Sequence, residues 1–125
     1  MKEEKLTNNN EDSELTSDKR KHTRYPAKWM IKGFRTETRV FTGVTSDLSV
    51  SGLSTYTSVQ LKVGERVYLN LDSFVGGVKK IIDAVCVVKH VSISNNKYRC
   101  GVEFLKISPS NLTFLKKCIN RIDPH

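Results

Sequence analysis

Cysteine, histidine, proline and membrane-length apolar runs are all scarce or missing in this 125-residue sequence, and each shortage closes a route to function. The three cysteines, Cys86, Cys100 and Cys118, are odd in number and far apart. They fit neither a paired CxxC metal site nor a closed disulfide framework, and their apolar surroundings predict buried, inert thiols in a reducing compartment. The three histidines, His22, His90 and His125, have no cysteine, histidine or carboxylate at ligand spacing, which argues against a metal centre. Outside the first 18 residues only seven acidic residues remain, and no two of them pair in a way that serves as general acid and base. Gly76 and Gly77 lack the lysine and following helix of a phosphate-cradling loop. The expectation is a protein that is not an enzyme and carries no cofactor. No apolar run approaches the ~18 residues that a membrane span needs, and the polar start is no signal peptide, so a soluble, cytoplasmic protein is expected.

What is plentiful is positive charge. The formal net charge is +8, yet residues 1–18 hold two lysines against six acidic residues, a local −4 that leaves +12 on residues 19–125. The acidic stretch offers only Met1, Leu6 and Leu15 as sizeable apolar residues, too few to offset the entropy of ordering, and predicts a disordered tail over 1–18. The length fits one domain with a core of its own. A basic body attracts polyanions in general, so charge alone leaves a dinucleotide, DNA, RNA and an acidic protein all open as partners.

Periodicity places the elements. Period-two alternation predicts strands at Ala27–Phe34, Glu37–Asp47, Leu53–Thr57, Val67–Leu71, Val78–Ile93 and Tyr98–Leu105, in the order of an antiparallel meander. A bulge is expected where Val40, Gly43 and Val44 break the alternation. Half of the fifth strand is expected to be buried on both faces. The loop around Gly76 and Gly77 reads as longer than a two-residue hairpin, and Asn95–Asn96 as a turn with positive φ. After Ser108, a good N-cap, and Pro109, the period changes: Leu112, Leu115 and Ile119 form an apolar helical stripe over 108–121. The predicted fold is all-β with a C-terminal helix that plugs one end of a barrel.

Two polar stretches stand apart from this pattern. Asp47, Leu48, Ser49, Val50, Ser51, Gly52 reads D-x-S-x-x-G at a strand end. If the pleat persists, Asp47 and Ser49 leave the same face, and Gly52 lets backbone turn closely beneath them. A carboxylate and a hydroxyl so placed can read the N–H edge of a flat polar ring, although the same residue types equally serve as turn caps. Upstream, Lys19, Arg20, Lys21, His22, Thr23, Arg24 contains R-x-x-x-R, closed by Tyr25 and Pro26; the proline disfavours helix and predicts an extended arm. Two guanidiniums four residues apart can fold over one ligand and offer forked donors to phosphate or to guanine O6 and N7.

R-x-x-x-R followed after some twenty residues by D-x-S-x-x-G resembles the PilZ domain family of bacterial cyclic di-GMP receptors. The resemblance continues through Gly64–Leu71, Val88–His90, Gly101–Phe104 and the final helix, covering residues 19 to about 121. It implies a six-stranded antiparallel β-barrel capped by one α-helix, with an arm at 19–26, a barrel at 27–107 and a helix at 108–121. It also implies that Arg20 and Arg24 grip the guanines and phosphates of cyclic di-GMP, that Asp47 and Ser49 hydrogen-bond a guanine, and that Gly52 leaves room for it. Binding would order the arm and signal to a partner in motility, biofilm, polysaccharide or virulence output. Where many members carry an arginine before the motif this chain has Lys19, which leaves open whether one ligand or a stacked pair binds. The competing reading is a basic β-barrel that binds single-stranded nucleic acid, for which the aromatics show no shared stacking motif.

Overall fold

The computed structural model describes residues 23–122. The expected acidic tail, together with Lys19 and Arg20 of the expected arm, lies outside the described residues.

The chain runs through β1 (Tyr25–Pro26), β2 (Met30–Phe34), β3 (Val40–Leu48), β4 (Gly52–Thr57), β5 (Arg66–Val75), β6 (Val78–Ser94), β7 (Lys97–Ile107) and α1 (Pro109–Ile122). The six longer strands form an antiparallel barrel in the order β3-β2-β5-β6-β7-β4, closed by pairing of β4 back onto β3. Closure pairs each of these six strands on both sides and leaves no long free edge among them. The predicted six strands and final helix are all present. The order is not one meander, however. β2-β3-β4 and β5-β6-β7 are two separate three-strand meanders, because β5 pairs with β2 and β4 with β7 rather than with each other.

One face of each strand fills the barrel. Ile31, Phe41, Leu48, Leu53, Leu69, Leu71, Ile82 and Val88 are buried, with Trp29 closing the cluster from the segment before β2. Each fully buried aliphatic side chain contributes about 1.5–3 kcal/mol, which makes this interior the main source of stability. In β6 the alternation is clean at Ile82, Ala84, Cys86 and Val88, while Ile81 on the other face is exposed and Val85 and Val87 are half-buried. The expected burial on both faces is therefore not found: α1 covers the barrel's end, not the outer face of β6. The helix starts where Ser108 Oγ accepts from Asn111 N–H at 3.2 Å, and it adds Leu115, Cys118 and Ile119 to the core.

Two local expectations change. Val75 pairs directly with Val78, so Gly76 (φ 60°) and Gly77 (φ 79°) make a tight two-residue hairpin whose two positive φ values glycine adopts without strain. The bulge falls at Ser46, between Thr45 and Asp47, rather than earlier in β3. Asn95 (φ 52°) and Asn96 (φ 62°) take the predicted left-handed turn.

Candidate functional site

The site is built where the entering chain is stitched to the far end of β3. Thr45 is buried inside the polar seam: its Oγ1 donates to Ala27 O at 2.6 Å and accepts from Trp29 N–H at 2.8 Å. Thr45 N–H donates to Trp29 O at 2.9 Å, and Ala27 N–H to Ser46 O at 3.3 Å. These bonds hold the segment before β2 along β3, and they extend it into β1, where Tyr25 lies opposite Leu48 and Pro26 opposite Asp47. Arg24 is thereby delivered to the acidic corner. The bulge at Ser46 turns β3 at the same point, a usual device for re-aiming a side chain at a rim.

Arg24 Nη1 donates to Asp47 Oδ1 at 3.3 Å, and both side chains are about one-fifth exposed, at 20%. The second carboxylate oxygen faces Arg99 of β7, with Nη2 3.7 Å from Oδ2, an ion pair beyond hydrogen-bonding range. One carboxylate thus stands between two guanidiniums. The Nε of each arginine is excluded from solvent and has no hydrogen-bond partner among the described residues. An unmet buried donor costs roughly 1–3 kcal/mol, so this arrangement is stabilised by any acceptor that reaches both groups. Arg99 also lies 5.8 Å from the centre of the Tyr56 ring, with Lys97 on the same ring at 5.8 Å.

Ser49 behaves differently from the expectation of a displayed hydroxyl. β3 ends at Leu48, and Ser49 is completely buried. Its Oγ accepts from Ser51 N–H at 3.2 Å and lies 3.1 Å from Ser51 Oγ and 3.4 Å from Gly52 O, while Ser49 N–H donates to Gly52 O at 2.8 Å. In this conformation the hydroxyl braces the turn on which Asp47 is mounted. Gly52 is required for proximity rather than for a left-handed turn: a Cβ there would lie 2.1 Å from Val102 O, so only glycine lets β4 start this close to β7.

Arg99 and Ser54 carry no motif and escaped the sequence reading, and Gly101 entered it only as part of the Gly101–Phe104 stretch, with no site role. Their placement follows only from register, with Asp47 opposite Ser54, Ser54 opposite Gly101 and Tyr56 opposite Arg99. The described residues contain no group of three metal-ligand side chains. No described helix is long and apolar enough to cross a membrane. The thiols are buried as predicted, and desolvation pushes Cys86 up to about 12 and Cys100 up to about 11.

The barrel is similar to solved structures of known proteins. The inhibitor of motility MotI/DgrA of Bacillus subtilis superposes with TM-score 0.73 at 16% identity, over 84% of this chain and 51% of that one. The PilZ domain of Escherichia coli YcgR with c-di-GMP gives 0.64 at 16% identity, over 85% and 92%. The MrkH–c-di-GMP complex of K. pneumonia gives 0.62 at 17% identity, over 82% and 51%. This chain spans about half the length of MotI and of MrkH. No curated protein sequence matches it. The family model described as PilZ domain matches residues 18–121, a span that takes in Arg20, Arg24, Asp47, Ser49 and Gly52 together with every strand of the barrel. With every strand of the barrel, both motifs and the helix as far as Arg121 inside that one match, the chain belongs to the PilZ domain family.

Proposed function

We propose that this chain is a receptor for cyclic di-GMP that acts by changing shape and not by catalysing a reaction. The observation that carries the reading is the contact between Arg24 and Asp47, which unites in space the two motifs that sequence keeps 23 residues apart. Membership of the PilZ family and the c-di-GMP in the YcgR and MrkH structures support the same ligand.

In the proposed mechanism the carboxylate of Asp47 is a placeholder partner. It holds Arg24 at the rim until a guanine N–H edge takes its oxygens and the ligand's phosphates and ring acceptors take the guanidinium, a stronger, forked set of charge-assisted bonds. Arg20 supplies the second fork of the arm, and Lys19 adds charge without a planar surface for stacking. Ser49 and Gly52 hold the corner rigid. The energy difference between the Asp47-bound and ligand-bound arm is then available to a downstream protein partner, in the way of any ligand-shifted two-state element. That partner would act in motility, biofilm, polysaccharide or virulence output.

The competing polyanion reading has one feature in its favour. Phe34 and Tyr68 stand 5.8 Å apart on β2 and β5, with Lys32 Nζ 5.4 Å from the Phe34 ring, a small aromatic and cationic patch of the kind that stacks single strands. Calorimetric titration with cyclic di-GMP, GTP and a short single-stranded DNA at two salt concentrations separates the two. Saturable, weakly salt-dependent binding of cyclic di-GMP alone is expected; strongly salt-dependent binding of DNA alone would replace the receptor reading with the polyanion one.

A further inference from the structure

We infer that the ligand site continues past the two motifs, across β4 and β7 to His90, with Arg99 as a further guanidinium that grips the nucleotide. The inference rests on the receptor reading above. The pairing register lines up Asp47, Ser54, Gly101 and His90 as one row across β3, β4, β7 and β6. The two middle positions are low, because Ser54 is small and buried and Gly101 has no side chain. They make a floor between a carboxylate wall and an imidazole wall. The exposed His90 leans over that floor, since a methyl added at Gly101 would come within 3.3 Å of His90 Cδ2.

A pocket of about 190 Å³ lies on this floor, lined by Ser54, His90, Ser92, Arg99, Cys100 and Gly101. Sites that enclose a whole drug-sized ligand run to roughly 300–1,000 Å³, so this pocket suits one base or one phosphate of a molecule whose other part sits at Asp47. Its chemistry fits a purine nucleotide. Arg99 presents a planar fork with a solvent-excluded Nε that has no acceptor among the described residues, and Arg24 has the same unmet donor on the opposite side of Asp47. A ligand that brings N–H groups to Asp47 and anionic or ring acceptors to both arginines completes all three. His90 adds a ring on which a base can stack, and a nitrogen donor at the far end.

The test is calorimetry of the full chain with cyclic di-GMP, comparing wild type with Arg99→Ala, Arg99→Lys, His90→Ala, Arg24→Ala and, as a control on the exposed far end of β7, Lys106→Ala. Arg99→Ala is expected to weaken binding by about 5- to 150-fold, the range of one lost bidentate contact. Arg99→Lys should recover only part of the loss, because an ammonium keeps the charge and lacks the fork. His90→Ala should weaken binding about five-fold or more if it stacks a base. Lys106→Ala should bind as wild type does. Should Arg99→Ala perturb folding, judged by circular dichroism and thermal melting, Arg99→Lys and His90→Ala decide. Wild-type affinity in the Arg99 and His90 variants alongside impaired Arg24→Ala would overturn this extension and leave the receptor reading standing. Absence of saturable binding to the wild-type chain would overturn both.

Discussion

Arg24 Nη1 and Asp47 Oδ1 meet at 3.3 Å although 23 residues separate them, and the meeting is enforced by the backbone seam that Thr45 makes with Ala27 and Trp29. Arg24→Ala should therefore cost cyclic di-GMP affinity without loosening the barrel. About 1–3 kcal/mol, or roughly 5- to 150-fold, is expected from calorimetry, with an unchanged melting temperature.

Asp47 carries two arginines at once, so Asp47→Asn removes the charge that both face while keeping the side chain's shape. Binding should weaken, and strand content by circular dichroism should stay the same. A collapse of secondary structure in this variant would show the carboxylate to be a turn cap rather than a ligand group.

Ser49 separates stability from binding in the opposite sense. Its buried hydroxyl braces Ser51 and Gly52, so Ser49→Ala should lower unfolding free energy in urea by about 1–3 kcal/mol through the unmet groups it leaves. Gly52→Val should be worse, because a Cβ already falls 2.1 Å from Val102 O.

At the junction of β2 and β5, Arg35 Nε and Nη2 reach Glu65 Oε2 and Oε1 at 2.6 and 3.0 Å, and Glu65 also accepts from Lys62 N–H at 3.0 Å. The Arg35 hydrogen bond holds the Glu65 carboxyl below its ordinary value of 4.5, so the stabilisation is present above that value and is lost as pH falls through the lower, folded one. Glu65→Gln should be less stable than wild type near neutral pH, and the gap should close below pH 4.5. A gap that persists in acid would mean the pair's contribution is packing.

Burial raises Cys86 to about 12 and Cys100 to about 11, which leaves almost no thiolate at pH 8. Mass spectrometry after brief iodoacetamide treatment should find both unmodified in the native protein and modified after unfolding in guanidinium.

Much of this architecture is written locally. Alternation in β6, the Ser108 cap and the Asn95–Asn96 turn are short-range signals, and each element appears where its residues place it. Strand order is not local: nothing between Thr57 and Arg66 says that β5 will pair with β2, because that choice is made by barrel closure. The site divides in the same way. Arg24, Asp47 and Gly52 are visible as motif residues, but Arg99 gains its meaning from a register across β4 that no spacing rule exposes. Ser49 was legible as a residue type and misleading as a geometry, since the strand stops one residue before it.

The two-residue strand β1 sets the leverage of the whole device. With Tyr25 and Pro26 clamped to Leu48 and Asp47, Arg24 is the first residue upstream of a fixed fulcrum. A pull on Arg24 is transmitted first to β1 and the rim of β3, and α1 packs against that same short strand. On the receptor reading, a messenger that draws Arg24 away from Asp47 would be felt at the helix end as well as at the rim.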